Sequence, residues 1–329
     1  AAWFQDPAGR TPTNYGINPA TGQVEGFNIL RDVPGESDKM FRNAHNQYYG
    51  MDVSGGSSAF RYFVSGSVAR DQGATFNSWA NRYNGRVNID AQPSENLTIG
   101  ANAGFGMARL RLAGDYPYED AVRSEAKYRF DDDGSILPTR GYYRAPPEAR
   151  YEREQYYHFA NRMTAGITVN HTPFDWFTQR LTFGLDMTDQ AEETRNAILS
   201  PYAAQFFSSR AASGSKDVDR ESVVYTTFDY AASAERQITD GIASTTSVGF
   251  QVYTKEIKGV IAEGTGFPAL GLSAISATGE RDGSDNFIEN NTVGVYLQQQ
   301  FGFADRFFIT GAVRADDNSS FGEDFNLVY

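Results

Sequence analysis

The sequence predicts an all-β protein, a transmembrane antiparallel up-and-down β-barrel with about ten strands in this chain. Three observations predict it: apolar and polar residues alternate with period two, the alternating segments are long, and short connections alternate with long ones. In NLTIGANAGFG (96–106), every second residue from Leu97 to Phe105 is apolar, and the residues between them are polar or glycine. Such alternation is typical of a half-buried strand.

The same alternation places the other strands along the chain. It recurs in AFRYFVSGSVA (59–69), RMTAGITVNH (162–171), TSVGFQVY (246–253) and TVGVYLQQQF (292–301). A helical period of 3.6 residues occurs in none of these segments. Strands are therefore predicted near 45–55, 58–71, 82–92, 97–109, 157–172, 176–189, 220–238, 242–257, 290–301 and 306–316.

The predicted connections alternate strictly between two lengths. The short ones are rich in turn-forming residues: GGSS (55–58), PSEN (93–96), TPFD (172–175), TDG (239–241) and GFAD (302–305). The long ones are 72–81, 110–156, 190–219 and 258–289. A meander through a bilayer has tight turns on one side and long loops on the other, and its tilted strands need about 9–11 residues to cross.

The domain organisation follows from this pattern. Residues 1–40 are predicted to be an outer loop segment, and residues 41–317 to be barrel strands with long outer loops at 110–156, 190–219 and 258–289. Residues 318–329 would begin a further outer loop or strand.

Composition narrows the function classes. The chain has 329 residues, a net charge of −12 and a mean hydropathy of −0.50. The negative charge argues against nucleic acid as a partner. No Cys is present, which excludes a disulfide framework and thiolate metal sites. No run of about 18 apolar residues occurs, so no transmembrane helix is predicted.

In a barrel of this kind the apolar face contacts lipid and the polar face lines a lumen. Charged and amide side chains on the polar face are then predicted to line a substrate path or to contact a plug. These lumen-facing candidates are Arg61, Arg86, Asp90, Asn102, Arg162, Arg180, Gln298, Arg314 and Asp316.

Two stretches carry a family resemblance. VSGGSSAFRYFVSGSVARDQGA (53–74) resembles the early-barrel hairpin of Sus-type (SusC/RagA-like) TonB-dependent outer-membrane transporters. FFITGAVRADDNSSFG (307–322), which contains Arg314 and Asp316, resembles the strand of that family that ends in an RAD-G-S-S-x-FG signature. With FRNAHNQYYGMDVSGG (41–56) and the strand rhythm between them, the likeness spans most of residues 38–329.

The resemblance implies more than the residues show. It implies a bacterial outer-membrane barrel of about 22 strands with an N-terminal plug domain. It also implies import of large nutrients such as glycans or peptides, driven through TonB, and pairing with a SusD-like surface lipoprotein. No plug domain or TonB-contacting segment is recognised in this chain, so we expect it to be part of a longer polypeptide.

Other chemistry has weaker signals. Exposed aromatic rings in the loop at 110–156 could stack on sugars or grip peptides, or could pack the loop itself: Tyr116, Tyr118, Tyr142, Tyr143 and Tyr151. FDDDGS (130–135) and ERDGSDN (280–286) lack the spacing of a calcium-binding EF-hand and are interpreted as loop turns. The three His are scattered. We expect no metal, no cofactor and no enzymatic activity.

Three alternatives stay open at this point. A complete ten-stranded barrel could act as an adhesin, scaffold or small pore. An outer-membrane hydrolase would need a Ser, His and acid set that His158 and His171 support poorly. A soluble β-sandwich would bury Leu97, Ile99, Val248, Phe250, Val293 and Val295 against a second layer, whereas the barrel exposes them in an outward belt.

Overall fold

A computed structural model of the chain describes residues 15–17, 24–26, 28–114, 116–124, 129–131, 133–304 and 306–321. Two sheets are present in this part of the chain. A two-stranded sheet joins β1 (Tyr15–Ile17) to β2 (Val24–Gly26). All other strands belong to one ten-stranded sheet.

The ten-stranded sheet is an antiparallel meander in which each strand pairs with its neighbours in sequence, from β3 at one edge to β12 at the other. This confirms the predicted all-β, up-and-down fold and the number of strands. The strands are β3 (Asn46–Gly56), β4 (Phe60–Gln72), β5 (Trp79–Ser94), β6 (Leu97–Leu112), β7 (Glu154–Phe174), β8 (Phe177–Asn196), β9 (Ser215–Thr239), β10 (Ile242–Thr265), β11 (Glu280–Phe303) and β12 (Phe307–Asn318).

The strands extend further than predicted on the side of the long connections. β10 and β11 pair in continuous register as far as Thr265 and Glu280, so the predicted loop at 258–289 shrinks to 266–279. Likewise, the loops predicted at 190–219 and 110–156 shrink to 197–214 and 113–153. The stretch 280–286 is thus strand rather than loop. Ladder hydrogen bonds need no apolar alternation, and these strand ends do not keep it: Val260 and Ile261 are consecutive in β10 and lie on opposite faces.

Neighbouring hairpins are staggered along the strand direction. Leu97, the first residue of β6, lies in register through β7, β8 and β9 with Val248, which is well inside β10. The turn between β9 and β10 therefore lies beyond the turn between β5 and β6. A stagger of this kind accompanies the strand tilt that curls a sheet into a barrel.

Short helices occupy the connections and the region before β3. They are α1 (Ile29–Asp32), α2 (Glu36–Met40), α3 (Tyr116–Val122), α4 (Pro147–Arg153), α5 (Pro201–Ala204) and α6 (Ser209–Ala212), with 3₁₀ turns at Ile275–Ala277 and Ser319–Phe321. No helix in the described residues has the length and apolarity needed to cross a membrane. Of the predicted terminal segments, most of 1–27 and all of 322–329 lie outside the described residues.

Buried side chains concentrate in the helices and long connections, not on the sheet. We call residues 28–41, 113–153 and 197–214 the loop cap, in its described part. One buried cluster joins α1 and α2 to the connection between β6 and β7, and a second joins that connection to the one between β8 and β9. Their members are Ile29, Met40, Ala121 and Tyr142 in the first, and Ala145, Ala149, Leu199 and Ala203 in the second.

Candidate functional site

One cross-strand row, meaning residues that oppose each other on successive strands, runs over the sheet from Arg61 on β4 to Asp316 on β12. Its members are Arg61, Asp90, Gly100, Thr168, Thr182, Asp229, Gln251, Gly294 and Asp316. Directly opposed residues of antiparallel strands point to the same face. This face, which we call the polar face, therefore carries both Arg61 and Asp316.

The remaining candidates lie on the polar face as well. Each is separated by an even number of residues from a member of the row on its own strand, within a stretch of unbroken register. Side chains alternate between faces along a strand, so an even separation keeps the face. The residues placed there in this way are Arg86, Asn102, Arg162, Arg180, Gln298 and Arg314.

The opposite face is apolar, and within the described residues it is uncovered. The row adjacent to the first one consists of Tyr62, Ile89, Ala101, Ile167, Phe183, Phe228, Val252, Val293 and Asp317. Val295 and Leu297 on this face are 47% and 52% exposed. Val248, Phe250 and Val293 are exposed, and Leu97 and Ile99 are half-exposed. In the described residues no second layer buries this belt, as the barrel prediction requires.

Aromatic side chains cluster where the sheet ends at short turns. The rings of Phe174 and Trp176 stack with centroids 5.5 Å apart, and Arg236 lies 3.9 Å from the centroid of Trp176. At the turn between β11 and β12, the ring centroids of Phe303 and Phe307 are 6.1 Å apart. Aromatic residues at strand ends are typical of a membrane–water interface.

The polar face brings Arg314 and Asp316 together in a network across three strands. The Arg314 Nε and Nη2 atoms donate to the Asp316 carboxylate at 2.7 to 2.9 Å, and Nη2 also donates to Gln251 Oε1 at 3.1 Å. Gln251 Nε2 in turn donates to Asp229 Oδ2 at 3.0 Å. Gly294 lies beneath the pair, and a Cβ at this position would collide with the Asp316 carboxylate.

A second ion pair on the polar face joins neighbouring strands. Arg162 on β7 donates two hydrogen bonds to Asp186 on β8, at 3.1 and 2.6 Å. Both side chains are solvent-exposed or nearly so. Sequence reasoning did not single out Asp229 or Gln251 as candidates, although each fits the period-two pattern of its strand.

The other candidates are neighbours rather than a bonded cluster. Arg61 and Asp90 oppose each other directly on β4 and β5. The Asn102 side chain lies over Gly166, within 2.9 Å of the position of an added Cβ. Arg86, Arg180 and Gln298 are distributed along the same face, on β5, β8 and β11.

The predicted loop aromatics fall into different environments. Tyr142 is fully buried in the first cluster, and burial together with the nearby Glu36 carboxylate raises its pKa. Tyr151 donates its hydroxyl to the Met40 carbonyl at 2.9 Å, and burial raises its pKa to about 12. These two rings pack the loop cap instead of presenting a face to a ligand.

The other loop aromatics differ from these two. Tyr118 is 43% exposed and lies 5.8 Å from the Phe41 ring. Tyr143 is half-buried between the guanidinium groups of Arg123 and Arg144, each 5.1 Å from its centroid. Tyr116 is the first residue of α3, and its side chain lies outside the described residues.

Buried ion pairs tie the loop cap together. Arg150 Nε donates to Asp120 Oδ2 at 2.7 Å, and both side chains are almost fully buried. Burial raises the pKa of Asp120, although Arg150 opposes this shift. Arg140 donates to both oxygens of the buried Glu36 at 2.9 and 3.1 Å, across 104 positions of sequence.

A surface pocket of about 740 Å³ opens between the two long connections of the loop cap. Arg144, Arg150 and Arg153 line it together with Phe206 and Phe207. Arg150 and Arg153 lie 5.1 and 4.9 Å from the Phe207 ring centroid. Guanidinium groups beside aromatic rings can bind an anionic or planar group.

The acidic stretch near Asp133 forms a turn. The Ser135 backbone N–H donates to Asp133 Oδ1 at 2.8 Å, and Gly134 has φ +83°, a left-handed conformation that glycine adopts readily. Within the described part of the chain, no group of three or more His, Asp or Glu side chains is arranged to hold a metal ion.

Comparison with solved structures identifies proteins of similar fold. The RagAB peptide transporter matches with a TM-score of 0.68 and 20% identity over 89% of this chain and 34% of that chain. The RagAB peptide importer in its closed-closed state matches with a TM-score of 0.66, 19% identity and the same coverage. The ferric-catecholate import receptor Fiu of E. coli K12, in its open form, gives 0.47 and 12% over 85% and 45%.

No protein-family model and no curated protein sequence matches the chain. The chain spans about a third of the length of the RagAB chains that it resembles. The similarity to the RagAB structures, together with the ten-stranded meander, shows the fold of a partial β-barrel of the kind found there.

Proposed function

We propose that this chain forms part of the wall and outer loops of a Sus-type TonB-dependent importer of the bacterial outer membrane. Its cargo would be large nutrients of the glycan or peptide class, and its own role would be non-enzymatic. The fold shared with the RagAB peptide transporter supports an importer, and the two sequence motifs support the Sus type.

The sorting of side chains between the two faces is the observation that carries this proposal. All nine lumen-facing candidates lie on the polar face, and the other face is an exposed apolar belt. An exposed belt of this size is unfavourable in water but matches the hydrocarbon of a bilayer. Outer-membrane lipid is therefore the first proposed partner.

The open edges of the sheet support further partners. In the described residues, β3 and β12 do not pair with each other. A sheet in lipid must pair every backbone group, so we propose that the remainder of the same barrel closes it. By resemblance, the other partners are a plug domain, TonB and a SusD-like surface lipoprotein.

The residues on the polar face would then line the substrate path or contact the plug. The Arg314–Asp316 pair is the most constrained of them, because Gln251 and the space over Gly294 fix its position. In the loop cap, Tyr118 and Tyr143 remain candidates for cargo contact. Tyr142 is buried and Tyr151 donates to the Met40 carbonyl, so these two side chains stabilise the cap itself.

Spin labelling tests the wall directly. This chain contains no Cys, so single substitutions such as Val293→Cys, Val295→Cys and Gln298→Cys introduce one label site into it, with any Cys elsewhere in the polypeptide replaced by Ser. We expect the full polypeptide, reconstituted in phosphatidylcholine, to show high oxygen accessibility at positions 293 and 295 and low accessibility at 298. Equal accessibility at all three positions would contradict a lipid-facing wall.

Uptake measurements test the transport role. Cells that express the full polypeptide should accumulate labelled oligopeptides or oligosaccharides only when TonB is present. Gly294→Val should reduce uptake, because its side chain would displace the Arg314–Asp316 pair. Uptake that does not depend on TonB would argue against the importer.

A further inference from the structure

The apolar face carries an unusual set of charges on its first five strands. Among the outward-facing residues of β3 to β7, the only Asp, Glu, Lys or Arg side chains are Arg70, Arg109 and Arg111. No carboxylate faces outward on these strands, although the chain as a whole has a net charge of −12. The outward face of β3 to β7 therefore carries three positive charges and no negative charge.

The three arginines form one patch. Arg70 on β4 and Arg109 on β6 lie in one cross-strand row, separated only by Asn81 on β5. Arg111 is two residues further along β6 and points to the same side. We call these three residues the arginine patch.

The patch follows the apolar belt without a gap. Val68 precedes Arg70 on the same face of β4, and Met107 precedes Arg109 on β6. Aromatic rings border it: Phe159 lies 5.5 Å from the Arg109 guanidinium, and Tyr157 lies 5.4 Å from that of Arg111. Amphipathic aromatic side chains beside a hydrophobic belt are typical of the headgroup level of a membrane.

The patch also lacks protein counter-ions. In the described residues, none of its three guanidinium groups has a carboxylate within 4.0 Å, and the buried Arg111 Nε has no hydrogen-bond partner. On later strands, the outward-facing Lys216, Arg220 and Lys258 pair with Glu193, Asp189 and Glu256 at 2.6 to 2.9 Å. In the described residues, Arg195, Arg236 and Arg281 also face outward without a carboxylate within 4.0 Å, but they lie on three different strands. What distinguishes β4 and β6 is that three such arginines lie together, on a face where β3 to β7 carry no acidic side chain.

We propose that the arginine patch binds the phosphate of an anionic lipid headgroup whose acyl chains lie on the apolar belt. Guanidinium groups match phosphate oxygens in geometry and charge. Continuity with the belt favours a lipid over a free anion, because Val68 and Met107 lie directly beside Arg70 and Arg109, where the acyl chains of the same molecule would pack. This inference rests on the proposed function, since it requires the apolar face to lie in a bilayer.

Lipid binding by the purified full polypeptide tests the patch. We expect native mass spectrometry to show preferential retention of dimyristoylphosphatidylglycerol over dimyristoylphosphatidylcholine. The triple variant Arg70→Gln, Arg109→Gln, Arg111→Gln should lose affinity for phosphatidylglycerol on the order of 100-fold, because each surface arginine contributes roughly fivefold. Replacing the same three residues with lysine should preserve most of the preference, which excludes simple misfolding as the cause.

Arg220→Gln is the matched control. Arg220 faces outward in the same cross-strand row as Arg70 and Arg109, but Asp189 neutralises it. Its substitution changes the net charge by the same amount per residue and should leave lipid preference nearly unchanged. An equal loss in this control, or unchanged binding in the triple variant, would overturn the inference.

Two further outcomes separate the possible failures. Displacement of phosphatidylglycerol by an equal concentration of inorganic phosphate would show a free-anion site and overturn the lipid assignment. A polypeptide that enters bilayers but shows no preference for anionic lipid would overturn this inference alone. Failure to enter bilayers at all would overturn the proposed function with it.

Discussion

The sheet and the loop cap are stabilised in opposite ways. The sheet is a single layer whose two faces are both accessible. It is stabilised by the hydrogen bonds between its strands and by the medium that each face contacts. The loop cap buries its own apolar clusters and holds the almost fully buried Arg150–Asp120 pair. A substitution in the cap should therefore change stability through lost or altered packing. A substitution in the sheet should change stability according to whether the new side chain faces lipid or water.

Loss of a buried ring should produce the largest effect. Tyr142→Ala should destabilise the cap by about 3–5 kcal/mol, because it removes a fully buried aromatic side chain and leaves a cavity. Hydrogen exchange of the cap amides would measure this, and exchange in the strands should stay unchanged. Tyr118→Ala is the control, since its exposed ring should cost much less; equal effects would contradict the comparison.

Adjacent substitutions on β11 should distinguish the two faces of the sheet. Leu297→Arg should destabilise the protein by about 2–4 kcal/mol, because it places a charge on the lipid face near the middle of the belt. Gln298→Arg adds the same charge to the polar face and should have little effect. Urea titrations of the full polypeptide folded in phosphatidylcholine vesicles would measure both, and similar losses would refute the assignment of the faces.

Acid should weaken the cap through Glu36. Burial opposes ionisation of this carboxyl, but hydrogen bonds from Arg140 and Lys39 outweigh burial and lower its pKa. Its contribution to stability is therefore present above its usual pKa and is lost as the pH falls through the lowered value.

Glu36→Gln isolates this effect. Burial raises the pKa values of Asp120 and Glu154, so their contributions to the pH dependence of stability have the opposite sign. The quantity to follow is therefore the difference in stability between the parent and the Glu36→Gln variant. Hydrogen exchange of α2, measured from roughly pH 3 to pH 7 because carboxyl groups titrate in that range, should show that difference shrinking towards acid. A constant difference would exclude the assignment.

The exposed ion pair on the polar face should give the smallest effect. A double-mutant cycle with Arg162→Gln and Asp186→Asn should yield a coupling that is small compared with that of a buried pair, because water screens both groups. The coupling should fall as salt is added. A value as large as that of a buried pair would mean that a plug or another element covers this region in the full polypeptide.

The strands and their faces were predictable because one physical rule generates them. Lipid on one side imposes period two, and that pattern alone assigned Asn102, Gln298 and the other candidates to one face. The outer strand ends were not predictable in this way, because Asp282 and Asp285 lie on opposite faces of β11 and both are polar. The contacts within the loop cap could be predicted least of all, because no local pattern reveals them. The Glu36–Arg140 contact, for example, joins residues 104 positions apart.

In the part of the chain that the structure describes, the outer sides of β3 and β12 are unpaired, and this has a practical consequence. Each edge presents a row of amide and carbonyl groups, and exposed edges of this kind act as templates for further strands. Expressed alone, these residues would add to one another edge to edge and form ladders of heterogeneous size. Under the proposed function, biophysical work therefore uses the longer polypeptide, whose further strands would close the sheet into a particle of defined stoichiometry.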